Sequence, residues 1–319
     1  MRIVVYRPGA LGDTLLTFPT LSALRSHWPH AHVTLICRAD VHALALASGL
    51  IDRIYSHELA AWAWLFGSAQ APADLARETF GGAGLALVWA PDTENNVASR
   101  LRGLGAHETL VAAPPPLIGS HQHIALQLLG ALAPLGVAVA PDVNALSRAL
   151  PVRRWPAEAQ EEARTAWNAL NQTEQPRIAI HPGSGSARKR WPAAHLAALL
   201  RDLQRDCAPV LIEGPQDGAL VTEILTQVDG VPVVRELSVA GLAAFICDCA
   251  LYVGDDSGPT HLAGMLGLPT VALFGPTDPA CWAPLGPHVI MLQSATSHMD
   301  DLPVSVVLSA IRKLAGANS

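Results

Sequence analysis

Eleven short apolar runs, most of them rich in β-branched residues, alternate with longer segments of helical period along the 319 residues of this chain. That alternation constrains the fold more than any other feature. A strand can join a parallel neighbour only through a crossover, normally a helix, so strand–helix repetition reads as a parallel α/β sheet. In the first half the expected strands are Arg2–Tyr6, His32–Cys37, Arg53–Ser56, Leu85–Trp89 and Glu108–Ala112. The expected helices are Thr14–Trp28, Val41–Ala47, Glu58–Phe66, Ala73–Glu78, Asn95–Leu104 and His123–Leu135. Leu11, Leu15, Phe18, Leu21, Leu24 and Trp28 recur every three or four residues as one apolar stripe, and Pro19 within it predicts a kink.

From Ala140 to Pro156 the pattern degrades, and this stretch reads as a connection between two domains. The second half resumes with a charged helix, Ala157–Leu170, and strands at Arg177–His181, Pro209–Glu213, Val231–Arg235, Leu251–Gly254, Thr270–Gly275 and His288–Leu292. Helices are expected at Ala193–Asp206, Ala219–Val228, Ala240–Cys247 and Thr260–Leu266, with a terminal helix in 302–319. The chain therefore reads as two doubly wound units in tandem, 1–155 and 156–319, facing each other across a cleft. In such sheets ligands sit at the carboxyl ends of strands, where strand order reverses.

Composition narrows the function classes. Half the residues are apolar and 15% are charged, as in a well-buried globular chain. A net charge of −6 and a pI near 6.1 argue against nucleic acid as a partner, which calls for clustered positive charge. Five cysteines without metal-site spacing read as reduced thiols of a cytoplasmic protein. The first apolar run is too short for a signal peptide. Residues 109–141 carry no charge, but prolines and a glycine interrupt them, so a buried helix followed by a short strand is expected there rather than a membrane span. His27, His30 and His32 read as a solvated turn, and no metal site is expected.

Three polar loops follow strands in the second half. HPGSGSARKRWP (181–192) leaves backbone N–H groups free to cradle phosphate, and Arg188-Lys189-Arg190 adds cationic charge; the alternative is a solvated basic turn. Lysine occurs only twice in the chain, at Lys189 and Lys313, so a compact ammonium at 189 stands out against 19 arginines. EGPQDG (213–218) suits a ribose or amine contact, or a plain turn. GDDSGPTHLAG (254–264) offers a hydroxyl and backbone donors at a helix start, while Ser257 or Thr260 acting as a cap and His261 as a packed imidazole are the bland readings. Two anion-friendly loops in one doubly wound unit point to a nucleotide diphosphate. Neither the Walker loop nor the dinucleotide glycine fingerprint is present, which argues against a nucleotide-dependent oxidoreductase.

Four segments together resemble the bacterial lipopolysaccharide heptosyltransferases, glycosyltransferase family 9: GDTLLTFP (12–19), HPGSGSARKRWP (181–192), LIEGPQD (211–217) and DDSGPTHLAGMLGLPTVALFGPTDP (255–279). Fainter likeness lies in DTENNVASRLRG (92–103) and HIALQLLGALAPLG (123–136). The resemblance implies a GT-B fold of two Rossmann-like domains, the first holding the acceptor and the second the donor, with residues 302–319 packing back on the first. It implies inverting transfer of a sugar, heptose from ADP-heptose foremost, onto a saccharide–lipid acceptor, with no cofactor or metal. It also implies a cytoplasmic enzyme in transient contact with the inner membrane surface. By the same resemblance Asp13 is the catalytic base and Lys189 the diphosphate contact, with Ser184 and Gly185 beside it. Asp256, Ser257, Gly258 and His261 form the donor loop, and Asp217 is an acidic nucleotide contact. Arg7, Gly12 and Arg100 are candidates on the acceptor side, simple solvation being the alternative for the arginines. Some members carry paired threonines where this chain has Ser184-Gly185, and residues 56–84 resemble nothing specific.

For Asp13 two roles compete. A lone aspartate before an apolar helix is commonly an N-cap. Sugar transfer, however, needs a group to take the acceptor hydroxyl's proton, and a carboxylate in a tight glycine loop suits that task. A third possibility is a non-catalytic nucleotide-sugar binding protein on a degenerate transferase fold.

Overall fold

A computed structural model describes residues 1–67, 70–92, 94–117, 119–147, 155–171 and 173–316. The chain divides into two compact units, Met1–Ala145 and Leu146–Ser319. The division falls ten residues before the expected boundary. Part of the connection at 140–156 lies outside the described residues.

The first unit holds a five-stranded parallel sheet of β1 (Arg2–Tyr6), β2 (His32–Cys37), β3 (Arg53–Ser56), β4 (Leu85–Trp89) and β5 (Glu108–Ala112), in the order β3-β2-β1-β4-β5. All five strands match the sequence reading. Central strands covered on both faces lose their polar alternation, and every residue of β4 is buried. The strand order reverses between β1 and β4, whose residues Ile3 and Leu85 are register partners. Helix Asn96–Gly103 carries Arg100, which donates from Nη1 to the carbonyls of Trp64 (2.8 Å) and Leu65 (3.1 Å). Arg100 thereby clamps the 3-10 segment Ala60–Phe66, whose Trp62 packs edge-on against Phe80.

The apolar stripe expected over Thr14–Trp28 is broken into two helices, Leu11–Leu15 and Phe18–His27, with Pro19 in the first turn of the second. A proline there costs no hydrogen bond, since first-turn N–H groups have no helical partner. Helix Ile124–Gly130 is buried as expected, but no strand follows it. The apolar residues Val137–Val139 are too few to extend a sheet between Gly136, at φ 71°, and Pro141.

The second unit holds β6 (Arg177–His181), β7 (Ala208–Ile212), β8 (Val233–Val234), β9 (Leu251–Asp255), β10 (Thr270–Phe274) and β11 (Val289–Gln293), ordered β11-β10-β9-β6-β7-β8 and parallel throughout. This is the doubly wound order with a switch point between β6 and β9. The strand expected over Val231–Arg235 shrinks to two residues. Helix Val304–Gly316 buries Val307, Ala310 and Ile311 in the core of this unit, together with Leu200 of helix Ala193–Leu203. The terminal segment therefore belongs to the second unit's core, which corrects the expected return to the first domain; residues 317–319 lie outside the described residues. Among the described residues, no helix is long and apolar enough to cross a membrane. All five cysteines are free.

Leu200 has no solvent exposure whereas its neighbour Arg201 points outward. Leu200→Ala is expected to lower unfolding stability by about 3 kcal/mol. Arg201→Ala should change it by less than about 0.5 kcal/mol. Urea denaturation followed by circular dichroism measures both.

Candidate functional site

In the first unit the loop after β1 runs from Arg7 to Ala10 and enters helix Leu11–Leu15, placing Asp13 in its first turn. The expected N-cap role does not hold, because Ala10 is the capping residue. Instead the Asp13 Oδ2 accepts the Ala10 backbone N–H at 2.8 Å and its Oδ1 accepts from Arg7 Nη2 at 2.9 Å. An acidic group here also meets the positive end of the helix. Arg7, read from sequence as an acceptor contact, is buried and turned inward: it also donates to the Pro8 carbonyl at 2.9 Å. Burial lowers the Arg7 guanidinium from its usual value and the Asp13 carboxylate pulls it back up. Gly9 lies at φ 139°, and a Cβ there would stand 2.8 Å from both Cβ and Oδ2 of Asp13. Only glycine fits under that carboxylate. Gly12 is buried inside the helix, and Arg100 is the clamp described above.

In the second unit the switch point brings together the loops that follow β6 and β9, because His181 and Gly254 are register partners. Lys189 Nζ sits 2.8 Å from Asp256 Oδ2, and His261 Nε2 is 4.0 Å from the other oxygen of the same carboxylate. Ser184 Oγ donates to the Asp256 carbonyl at 2.8 Å. Lys189, Ser184, Asp256 and His261 are thus one connected group, as the sequence reading placed them. Gly185 is exposed beside them, with open space where a side chain would be. Ser257 caps helix Gly258–Met265 by position, and its Oγ lies 3.1 Å from Thr260 Oγ1 instead of capping a backbone N–H. Gly258 opens that helix, so its first N–H groups lie beside the Lys189 ammonium's partner.

Asp217 departs from its expected role. It is buried, with Oδ2 held by His181 Nε2 at 3.2 Å and by the Gly214 N–H at 3.0 Å. It pins the 181–192 loop to the 213–218 turn from beneath and does not present a free carboxylate to a nucleotide. A Cβ at Gly183 would collide with the Asp217 carboxylate, and one at Gly214 would stand 2.6 Å from Oδ2. Burial pushes the Asp217 carboxyl up, but the His181 imidazole, the Gly214 N–H and Arg190 together bring it below the ordinary value.

Two residues that the sequence reading did not single out hold the loops in place. Trp191 is fully buried, donating its backbone N–H to Asp255 Oδ2 at 3.1 Å and its indole N–H to the Leu302 carbonyl at 2.9 Å. Asp255 is buried at the end of β9, and its carbonyl accepts from Thr260 Oγ1 at 2.6 Å. Burial drives the Asp255 carboxyl well above its ordinary value; the Trp191 N–H and Arg190 oppose the shift while Asp256 and Asp217 add to it. Both residues lie inside the quoted motifs, but a contact between positions 191 and 255 leaves no local pattern to find.

Beside Lys189 opens a pocket of about 350 Å³ lined by Ser186, Arg188, Lys189, Pro276, Thr277 and Trp282. Among the described residues no group of three or more His, Cys, Asp or Glu side chains is placed to hold a metal ion.

Two doubly wound parallel units in one chain, the second with cationic and helix-start donors gathered at its switch point, define the GT-B architecture. The family model for glycosyltransferase family 9 (heptosyltransferase) matches residues 142–308, and the chain belongs to that family. Over 157 residues it is 27% identical to lipopolysaccharide heptosyltransferase 3 of Escherichia coli, an alignment covering 43% of this chain and 46% of the relative. The match thus spans about half the length of that relative. Two solved structures share the fold along nearly the whole chain. The glycosyl transferase family 9 protein from Veillonella parvula superposes with a TM-score of 0.81 at 22% identity, covering 99% of this chain and 97% of that one. An Escherichia coli heptosyltransferase crystallised with ADP gives 0.73 at 17% identity, covering 99% and 100%.

The two buried carboxyls titrate with opposite signs. Asp217, lowered in the folded state, stabilises above the ordinary carboxylate value, and that contribution is lost as pH falls through its folded value. Asp255, raised in the folded state, costs stability as pH climbs from the ordinary value of about 3.9 toward its folded one. Asp217→Asn should therefore melt below the wild type at pH 7, with the gap closing toward pH ~4. Asp255→Asn keeps an acceptor for the Trp191 N–H and should gain on the wild type as pH rises. Melting curves across that range measure both slopes.

Proposed function

We propose that this chain is an inverting glycosyltransferase that moves a sugar, heptose from ADP-heptose foremost, onto the saccharide of a lipopolysaccharide-core-type acceptor. One observation carries the reading: Lys189, Ser184 and the start of helix Gly258–Met265 converge on Asp256 at the switch point of the second unit. Membership in a family whose relatives include heptosyltransferases, one of them crystallised with ADP, supports it further.

In this reading the second unit binds the donor. The Lys189 ammonium has three donors and gives one to Asp256, so two remain for diphosphate oxygens. N–H groups at the start of helix Gly258–Met265 add to the field that favours an anion. The first unit binds the acceptor beside Asp13. A carboxylate offers about four lone-pair sites, and Arg7 and Ala10 occupy one each, which leaves capacity to accept a proton. The acceptor hydroxyl oxygen bonds to the anomeric carbon as the bond from that carbon to the diphosphate breaks. The hydroxyl proton passes to Asp13, and the diphosphate leaves with the electron pair of the broken bond. Lys189 and the helix-start N–H groups stabilise the charge gathering on the leaving group. The anion-binding loop contributes more to the leaving step, and Asp13 more to the attack. A lipid-linked acceptor brings the enzyme transiently to the cytoplasmic face of the inner membrane.

Incubation with ADP-heptose and a heptose-deficient core acceptor should add one heptose to the acceptor by mass spectrometry. Asp13→Asn is expected to lower turnover by at least about 100-fold while keeping ADP affinity. Loss of stability by about 1 kcal/mol with turnover retained would reduce Asp13 to a helix-start residue. Lys189→Ala should weaken ADP binding by about tenfold or more, read by calorimetry. Unchanged affinity would remove Lys189 from the diphosphate site.

A further inference from the structure

Beyond the loops that would hold a diphosphate, the pocket beside Lys189 has a chemistry of its own. Its wall is half of an indole, Trp282, on the short helix Pro279–Trp282 that follows β10, with Pro276 adding a second apolar face. Around that wall stand the Ser186 and Thr277 hydroxyls, the Arg188 guanidinium and the Trp282 indole N–H. Among the described residues none of these four groups has a hydrogen-bond or ion-pair partner in the protein. Half-exposed tryptophans normally satisfy the indole N–H from within or leave it to a ligand. Here four polar groups are spread around an aromatic face and all are left to a ligand.

A flat nucleobase would call for partners aligned along one edge. A pyranose has the complementary shape: an apolar face of C–H groups to lie on the indole, and hydroxyls radiating from the rim to meet scattered donors and acceptors. The volume, about 350 Å³, falls at the low end of the range for small-ligand pockets, which suits one sugar ring and not a whole nucleotide. Its position next to Lys189 places such a ring at the end of a diphosphate.

We infer that this pocket is the subsite for the transferred sugar, with Trp282 as its stacking platform and Thr277, Ser186 and Arg188 as hydroxyl and phosphate contacts that set which sugar is accepted. The inference rests on the donor reading above and adds to it the residues that discriminate one nucleotide sugar from another. Trp282 touches the sugar and does not take part in bond making, so its removal acts on sugar affinity and selectivity.

Calorimetry with ADP and with ADP-heptose separates the sugar from the nucleotide. Trp282→Ala should leave ADP affinity within about twofold and weaken ADP-heptose by about tenfold, and Trp282→Phe should restore most of the loss. Thr277→Val, a smaller change that spares the wall, should weaken ADP-heptose alone. Equal losses for both ligands in Trp282→Ala and Thr277→Val, or no loss for either, would overturn the assignment while leaving the donor reading intact. Unchanged donor affinity with a raised KM for the acceptor would give the pocket to the acceptor and likewise overturn it. A wild-type protein that binds neither ADP nor ADP-heptose would remove the donor reading itself, and this inference with it.

Discussion

The site in the second unit depends on one piece of sheet geometry: β6 lies directly against β9 although more than sixty residues separate them. Parallel register from Ile178–Leu251 to His181–Gly254 brings both strands to an end at the same edge. From there the two chains turn to opposite faces of the sheet, so no crossover covers the space between them. Every polar contact of the site, from Lys189 on Asp256 to Trp191 on Asp255, spans that gap. The backbone pairing is worth far more than any of these contacts. It turns loop contacts that would be marginal in solution into fixed geometry.

Such a site concentrates acids where water is scarce. Asp217, Asp255 and Asp256 are all buried beneath the loops, and each has a different solution to its charge. Asp217 takes the His181 imidazole and a backbone N–H; Asp256 takes Lys189; Asp255 has a backbone N–H alone and is pushed toward neutrality. An uncompensated buried carboxylate would cost several kcal/mol. The arrangement is tolerable because cations approach two of the three, and it leaves Lys189 tethered by a partner that an incoming anion must share. The first unit repeats the scheme with one acid, Asp13, held by a buried arginine.

The fold was legible because parallel strands buried on both faces appear as compact apolar runs, and Ile3-Val4-Val5 or Leu85–Trp89 can be little else. The break near Pro19 was legible from covalent chemistry. Residues Val231–Arg235 and Val137–Val139 misled for the same reason: apolar runs indicate a willingness to pair, not whether a neighbour is available. In the site, Lys189, Ser184, Asp256 and His261 lie in local motifs and came together as read. Arg7, Arg100 and Asp217 did not face outward as read, because charge type does not reveal whether a side chain meets solvent or a distant partner. Trp191, Asp255 and Trp282 needed three-dimensional neighbours to acquire a role.

Three glycines, at 9, 183 and 214, share a trait with a consequence for how this family can diversify. Each leaves a hole that an aspartate side chain fills, Asp13 in the first case and Asp217 in the other two. At these sites the missing methyl serves as a seat for an anion more than as a hinge. Drift at any of them would therefore be felt as displaced charge at the reaction centre before it was felt as a strained chain, and the glycine and its acid can be replaced only as a pair.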